Sequence, residues 1–265
     1  MQIEGKVVVI TGAGSGIGRA LAQQFADAGA SVVAGDIDSA AAAATAAPIG
    51  ERAIGVGADA GSVAGIATLL TAARDAFGPV DIYVANAGVI GAAGLGSDED
   101  WDRVLEVNLR AHIRAADALL PEWTARGEGY FVSIASAAGL LTQVGAAGYA
   151  VSKHAAVGFA EWLSITYGDN GIGVTCVCPM GVATPLLDAI TDSDDATVRV
   201  AAASITTAGE VLSAQDVAVA TLVGVRGDRF LVLPHASVLD MYRGKGADYD
   251  RWISGMRRYQ RALRD

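Results

Sequence analysis

The chain has few of the residues that mark several protein classes. Among its 265 residues are two cysteines, six prolines and 19 basic residues against 29 acidic ones, which gives a net charge of −10. Cys176 and Cys178 lie two residues apart, a spacing that fits neither a CxxC redox motif nor a zinc site. We expect both to be buried and reduced, which suits the cytoplasm. No run of about 18 apolar residues predicts a membrane span, and the N-terminus lacks a signal-peptide pattern.

The charge balance narrows the possible partners. An acidic chain repels phosphate groups, so the sequence predicts no nucleic-acid partner. His112, His154 and His235 are scattered and lack the spacing of metal ligands, and we interpret them as structural. The acidic cluster at 192–195 lacks the glycine and the closing glutamate of a calcium loop. We therefore expect no metal site, no membrane partner and a small-molecule ligand.

What the chain does have is a regular alternation of two patterns. Short runs rich in β-branched residues alternate with longer segments that have a helical period, which predicts right-handed βαβ units and a parallel sheet. The predicted strands are residues 6–10, 31–36, 53–58, 81–85, 130–135, 174–177 and 229–233. The main predicted helices are residues 16–29, 63–77, 98–125, 149–167, 214–225 and 248–263. The predicted fold is α/β, a Rossmann-type doubly wound seven-stranded parallel sheet with helices on both faces and a C-terminal helical tail.

The length and the absence of linkers favour one domain, residues 1–265. Residues 180–213 are the one long stretch without a regular pattern, and such a segment in a compact domain is usually functional or mobile. We predict a substrate lid there. A helical stripe of Trp252, Met256, Tyr259 and Leu263 predicts a C-terminal helical extension at 236–265.

A glycine-rich turn follows the first strand and opens the first helix. Such a turn places backbone N–H groups and the positive end of a helix at one point, where a pyrophosphate can approach closely. The residues expected to contact it are Gly12, Ser15, Gly16, Ile17 and Gly18. The alternative is an ordinary tight strand–helix turn.

Asp36 ends the second strand, 18 residues after Gly18, near the spacing expected for an acid that binds the adenosine ribose. A carboxylate there accepts from both ribose hydroxyls and repels a 2′-phosphate. Ile37 and Asp38 follow, so no cation compensates. The sequence therefore predicts NAD(H) rather than NADP(H) as the cofactor; a solvated strand end is the alternative for Asp36.

Tyr149 and Lys153 lie four residues apart on a predicted helix and therefore share a face. A nearby cation favours the phenolate, so we expect Lys153 to lower the pKa of Tyr149 and the pair to act as a general acid/base. Only three lysines occur in the chain, so a lysine at this position stands out. Ser136 follows the fifth strand at the edge of the sheet where ligands bind, and its hydroxyl can hold a substrate oxygen.

These residues together resemble the classical short-chain dehydrogenase/reductase family over about residues 5 to 235. TGAGSGIG at 11–18 resembles the family motif TGxxxGxG, and Ala85–Gly88 is similar to the NNAG segment. Asn108 falls where the family keeps its active-site asparagine, and Ser136, Tyr149 and Lys153 match the rest of the catalytic tetrad. Residues 179–185 resemble the segment that holds the nicotinamide.

The resemblance implies a role for each of these residues. Tyr149 exchanges a proton with the substrate, Ser136 positions the reacting oxygen, Lys153 holds the nicotinamide ribose, and Asn108 anchors a water that links Lys153 to solvent. Asp59 touches the adenine and Thr184 the carboxamide. The remaining residues assigned to the cofactor are Ile37, Ala60, Asn86, Ala87, Gly88, Pro179, Gly181 and Val182.

The chain departs from the family pattern at two places. Met180 stands where the family usually has glycine after the proline, which adds bulk near the nicotinamide. The family often ends in a glycine-rich segment soon after the last strand, whereas this chain continues into a helical tail, which bears on the tetramer packing usual in the family. We expect a homo-oligomer, dimer or tetramer, with a dimer through the helices near 98–125 and 149–167 as the safer interpretation.

The resulting hypothesis is an NAD-dependent oxidoreductase that acts on the secondary alcohol or ketone of an apolar small molecule. The alternative is a non-catalytic NAD-binding or scaffold protein on the same fold. The residues expected in the substrate pocket are Ser136, Leu140, Val144, Tyr149, Met180, Leu186 and Leu187.

Overall fold

Seven parallel strands form the central sheet of the computed structural model, which describes residues 1–264. Their order across the sheet is β3-β2-β1-β4-β5-β6-β9. The strands are β1 (Val7–Thr11), β2 (Ser31–Asp36), β3 (Ala53–Gly57), β4 (Ile82–Ala85), β5 (Gly129–Ile134), β6 (Ile172–Val177) and β9 (Leu231–Val232). Two further short strands, β7 (Val182–Ala183) and β8 (Leu212–Ser213), pair with each other outside this sheet. The seven-stranded parallel sheet confirms the predicted fold class.

Twelve α-helices connect or flank these strands within the described part of the chain. They are α1 (Gly16–Asp27), α2 (Ser39–Ala46), α3 (Val63–Ala76), α4 (Asp98–Leu105), α5 (Ala111–Arg126), α6 (Ala138–Leu141), α7 (Ala147–Tyr167), α8 (Pro185–Thr191), α9 (Ala196–Thr206), α10 (Ala214–Arg226), α11 (Ser237–Ala247) and α12 (Tyr249–Ala262). None of those within residues 1–264 is long and apolar enough to cross a membrane.

The sheet buries both faces, as its apolar strands predict. In β1, Val7 and Val9 enter one apolar cluster while Val8 and Ile10 enter the other, because successive side chains point to opposite faces. The first cluster includes residues of α3, α5 and α7, and the second includes residues of α1 and α10. Helices therefore cover the sheet on both sides and leave its strand ends as the accessible edges.

The predicted helix over 98–125 is one of the places where the structure corrects the sequence interpretation. A five-residue π-helix, Glu106–Arg110, interrupts it between α4 and α5. The hydrophobic pattern does not distinguish a wide turn of this kind from a continuous helix. Such turns occur frequently at functional sites.

The segment at 180–213 differs from the prediction in its secondary structure, and the tail contains one helix more than the sequence pattern indicated. Instead of an irregular stretch, 180–213 holds α8, α9 and the strands β7 and β8. Pro185 occupies the first turn of α8, and the Asp195 side chain caps α9 by accepting from Thr197 and Val198 N–H. The predicted helical extension at 236–265 contains two helices, α11 and α12, and the sequence pattern had indicated bounds only for the second. Asp265, the last residue of the predicted extension, lies outside the described residues.

One close contact in the core gives a stability prediction. An added Cβ at Gly129 would lie 2.2 Å from Trp123 Cδ2, and the Trp123 indole is fixed because its N–H donates to Val80 O at 2.8 Å. Gly129→Ala should therefore destabilise the fold by about 3 kcal/mol. Gly244→Ala in α11 meets no atom within 4 Å and should stabilise by about 0.5–1 kcal/mol. Urea unfolding of both variants tests this, and equal stabilities would contradict it.

Candidate active site

The glycine-rich turn after β1 is closed so tightly that two of its positions need glycine. Gly12 has φ +62°, and a Cβ there would lie 2.9 Å from Ala87 Cα. A Cβ on Gly18 would lie 2.1 Å from Gly12 O. These contacts bring the turn, the first turn of α1 and the segment after β4 into direct contact.

A hydrogen-bond clamp holds the ends of β1 and β4 together. The Thr11 hydroxyl donates to Val84 O at 3.3 Å and accepts from the N–H groups of Asn86 and Ala87 at 3.0 and 3.1 Å. The Asn86 side-chain amide donates to Thr11 O at 2.8 Å and to Gly12 O at 3.1 Å. We refer to Thr11 and Asn86 with these bonds as the Thr11–Asn86 clamp. It fixes the turn where β1 and β4, neighbours in the sheet, diverge into different halves of the fold.

The start of α1 has the features of an anion site. The helix begins at Gly16, and its N-cap Ser15 makes no side-chain cap hydrogen bond to any part of residues 1–264. The first N–H groups of a helix have no partner within it, and the helix dipole makes this end positive. Together with the close approach that Gly12 permits, these groups fit the pyrophosphate of a dinucleotide.

Asp36 ends β2 beside this turn. Its Oδ2 accepts from Gly14 N–H at 2.8 Å and its Oδ1 accepts from Asp38 N–H at 3.0 Å, which fixes the carboxylate. The next two residues supply no positive charge, since Ile37 is exposed and the Asp38 side chain caps α2. Each carboxylate oxygen keeps acceptor capacity, so the group suits a pair of ribose hydroxyls better than a phosphate.

Lys153 lies on α7 with only 4% of its surface exposed, and its Nζ donates to Ile134 O at 3.0 Å. Burial lowers the pKa of Lys153 to about 8. The ammonium lies 5.8 Å from the centroid of the Tyr149 ring, one helical turn earlier. The helix thus brings the two residues together as their spacing predicts.

The expectation that Lys153 lowers the pKa of Tyr149 is not met in the protein alone. Burial raises the pKa of Tyr149, and a hydrogen bond with Ser136 only partly opposes this increase. The reason is geometric: Lys153 Nζ lies over the ring and points to Ile134 O, so desolvation of the phenolate dominates. Tyr149 therefore holds its proton at neutral pH.

Ser136 lies just beyond β5 and is held from two sides. Its Oγ accepts from Ala138 N–H at 3.1 Å and donates to Pro179 O at 3.4 Å. Ser136 and Tyr149 both line the cavity, and the Ser136 hydroxyl lies near enough to the phenol to oppose the rise in the pKa of Tyr149. The sequence prediction that Ser136 and Tyr149 share a site agrees with this arrangement.

Asn108 lies in the π-helix and is fully buried. Its Oδ1 accepts from Val89 N–H at 2.9 Å, and its Nδ2 donates to Val89 O at 2.9 Å and to Ser152 Oγ at 3.0 Å. Ser152 in turn donates to Tyr149 O at 3.0 Å. The asparagine does not line the cavity, so its side chain acts as a link between the segment after β4 and the active-site helix.

One cavity of about 1090 Å³ unites these features. Every residue assigned to the cofactor from the sequence lines it, and so do Ser136, Val144, Tyr149, Met180, Leu186 and Leu187 from the predicted substrate pocket. Leu140 does not, which corrects that assignment. Leu140 of α6 packs into the core. The adjacent Leu141 also contacts that core, but it lines the cavity as well.

Met180, the departure from the family pattern, is held by a residue of the tail. His235 is buried; its Nδ1 accepts from Met180 N–H at 3.1 Å and its Nε2 donates to Gly181 O at 3.1 Å. This pairing requires a neutral imidazole with its proton on Nε2. The structural role predicted for His235 is thus that its ring fixes the backbone of the segment assigned to the nicotinamide.

The tail supplies four cavity residues that were not predicted, which are Met241, Trp252, Met256 and Tyr259. The sequence shows the last three as one helical stripe but not which surface it covers. A compositional signal was available, since the chain has four methionines and every one after Met1 lines this cavity.

Within the described residues, no group of three or more His, Cys, Asp or Glu side chains could hold a metal ion. Cys176 and Cys178 are buried and free, with their Sγ atoms 3.9 Å apart.

Comparison with known proteins decides the family. A family model described as short chain dehydrogenase matches residues 6–195, more than half of the chain. The chain belongs to the short-chain dehydrogenase family. It is therefore a member of a family of oxidoreductases.

Similar proteins cover nearly the whole chain. A short-chain dehydrogenase/reductase from Burkholderia phymatum, solved in complex with NAD, has a TM-score of 0.85 and 33% identity over 94% of this chain and 96% of that one. 1-Deoxy-11-beta-hydroxypentalenate dehydrogenase of Streptomyces exfoliatus is 32% identical over 96% of this chain and 92% of its own. Momilactone A synthase of Oryza sativa subsp. japonica is 35% identical over 83% of each chain. The NAD complex supports a nicotinamide-cofactor site in this fold.

The buried ammonium gives a pH prediction. Burial lowers the pKa of Lys153 from its ordinary value of 10.5 to about 8, so between these values the unfolded chain binds more protons than the folded one. Stability from this group therefore rises with pH across that window. Between pH 7 and pH 10, the unfolding free energy of the wild type should rise relative to that of Lys153→Met by about 2–3 kcal/mol.

Urea unfolding of both proteins at the two pH values measures this difference. The Lys153→Met variant serves as the control, since all other titrating groups are common to both chains. A constant difference between the two proteins would show that Lys153 titrates normally.

Proposed function

We propose that the chain is an NAD(H)-dependent oxidoreductase that transfers hydride between the nicotinamide and a secondary alcohol or ketone of an apolar small molecule. The observation that carries the proposal is the meeting of Ser136, Tyr149 and Lys153 on the same cavity as the glycine-rich turn and Asp36. When bound, the cofactor supplies the hydride acceptor or donor.

Tyr149 moves the proton in this proposal. Because burial raises the pKa of Tyr149, the phenol is protonated at neutral pH and can donate to the oxygen of a ketone. In the reverse direction the phenolate accepts the proton of an alcohol. Ser136 would hold the same oxygen by turning its single hydroxyl proton from Pro179 O to the substrate, while Ala138 N–H keeps its Oγ in place.

Lys153 and Asn108 support the reacting group. The Lys153 ammonium would hold the nicotinamide ribose and favour the phenolate once Tyr149 loses its proton. The side chain of Asn108 joins Val89 to the helix of Tyr149 through Ser152 and so fixes these two segments relative to each other. The family resemblance implies a water that links Lys153 to solvent, and Asn108 would help to hold that water in place.

NAD(H) is preferred over NADP(H) because of Asp36. The carboxylate is fixed by Gly14 and Asp38 N–H, and no basic residue follows it in the chain before Arg52. A 2′-phosphate placed there would meet this negative charge without compensation. Ile37, Asp59 and Ala60 line the same cavity and would border the adenosine.

The remaining parts of the proposal concern organisation. We assign one cofactor-binding domain to residues 1–265, with 180–213 as a substrate lid and 236–265 as a helical extension. The free cysteines suit the cytoplasm. A homo-oligomer, dimer or tetramer, is supported by the exposed Val151, Trp162 and Ile165 on α7.

Replacement of the phenol tests the catalytic assignment. Tyr149→Phe removes the proton donor and keeps the ring, so turnover should fall by about 10²–10⁴-fold while NADH binding stays unchanged. Initial rates with a panel of ketones and secondary alcohols, with NADH fluorescence for binding, measure the two effects. Undiminished turnover would refute the role of Tyr149. NADH binding by the wild type with no turnover of any compound would favour a non-catalytic NAD-binding protein.

Charge neutralisation at two neighbouring positions tests the cofactor assignment. Asp36→Asn should reduce the preference for NADH over NADPH by about tenfold or more, because the repulsion of the 2′-phosphate is removed. Asp38→Asn is the matched control, since Asp38 caps α2 and does not line the cavity. Dissociation constants for both cofactors give the ratio. An equal effect of the two changes would assign the preference to general charge instead.

A further inference from the structure

The segment after β9 is attached at three points to residues that line the active-site cavity or lie next to it. Near its start, His235 bonds to Met180 N–H and Gly181 O. In α11, Lys245 Nζ donates to Leu140 O at 2.7 Å and lies 3.4 Å from Nε2 of His154, the residue after Lys153. In α12, the Tyr259 hydroxyl donates to Ser204 O at 3.0 Å and lies 2.8 Å from Thr207 Oγ1. The tail is thus fixed to the nicotinamide segment, the active-site helix and the lid.

The side chains between these attachments face the cavity. Trp252 and Met256 of α12, together with Met241 of α11, line the cavity that Met180 and Leu187 also line. Trp252 and Met241 also pack against the core, whereas no residue of α12 is fully buried. An amphipathic helix whose apolar stripe meets a cavity leaves that surface available to a ligand.

The composition of this wall indicates what it would contact. Three methionines and a tryptophan provide a large, adaptable apolar surface, since thioether side chains fit irregular shapes and contact rings favourably. The basic residues of the same helix, Arg251, Arg257, Arg258 and Arg261, are exposed and do not line the cavity. The hydroxyls of Ser204, Thr207 and Tyr259 each donate to a main-chain carbonyl, and those of Thr207 and Tyr259 also lie 2.8 Å apart. The wall therefore offers contact area and no charge.

We propose that Trp252 and Met256 determine substrate specificity and select a bulky, uncharged, multi-ring ketone or secondary alcohol over a small one. The inference rests on the proposed function, because the reacting oxygen is placed at Ser136 and Tyr149. A small substrate would leave the Trp252–Met256 surface facing water, whereas a fused-ring compound would cover it and gain the corresponding hydrophobic free energy.

Binding of two ketones that differ only in size tests the proposal. 2-Decalone and cyclohexanone are titrated by calorimetry into the protein saturated with NAD⁺, a combination that cannot turn over because the cofactor is already oxidised. The same titrations without NAD⁺ report contact with the wall when no cofactor is present. The wild type should bind decalone about tenfold or more tightly than cyclohexanone.

Four variants of α12 locate the effect. Trp252→Ala and Met256→Ala should each weaken decalone binding by about tenfold and change cyclohexanone binding by less than about threefold. Ile253→Ala is the matched control, because Ile253 is exposed and does not line the cavity, and it should change neither. Trp252→Phe keeps an aromatic ring and should retain most of the affinity, which covers the case in which the alanine variant does not fold.

The outcomes separate this inference from the proposed function. Equal binding of the two ketones by the wild type, or an equal loss for both ketones in Trp252→Ala and Met256→Ala, would overturn the inference. Unchanged decalone binding in both variants would do so as well. A wild type that binds decalone through Trp252 but turns over no ketone or alcohol of the panel would support binding at this wall and refute the proposed function.

Discussion

The parallel direction of all seven strands is the constraint on which the site depends. It brings the carboxyl ends of β1, β2, β4, β5 and β6 to one edge, and the residues that follow these strands meet there although they are far apart in sequence. The Thr11–Asn86 clamp then fixes the central pair. With it in place, the glycine-rich turn, Asp36 and Ser136 need only short extensions of their strands to face one cavity.

The second requirement is a buried positive charge next to a partly buried phenol. Lys153 is kept in place by Ile134 O, and the cost of burying its charge appears as the lowered pKa. The same burial raises the pKa of Tyr149. Desolvation thus acts on both residues in opposite directions and makes the lysine less basic and the tyrosine less acidic. The π-helix contributes by directing Asn108 toward Val89 and Ser152, which hold the helix that carries both groups.

The sequence predicted the parts of this protein that depend on local pattern. Strand periodicity predicted the sheet, and the glycine-rich turn with Asp36 predicted one end of the cavity, because in both cases the relevant residues are close in the chain. The roles of residues that depend on partners distant in the chain were harder to predict. Leu140 and Leu141 are adjacent and equally apolar, and only the packing of α6 decides which one faces the cavity. The pKa of Tyr149 could not be predicted from its spacing to Lys153, since desolvation depends on all the groups around it. The function of Trp252 and Met256 depends on where α12 lies, which no local pattern records.

The attachments of the tail have a consequence for how this protein can change in evolution. Each includes a main-chain group in the cavity wall or next to it: Met180 N–H and Gly181 O for His235, Leu140 O for Lys245, and Ser204 O for Tyr259. Main-chain groups persist through almost every substitution, so side chains of the lid can diverge without releasing the tail. The tail itself carries the side chains that fasten it. Substitutions within residues 180–213 can therefore change the shape of the pocket while the tail stays attached. Loss of the tail side chains that form these bonds would instead detach the tail from the cavity.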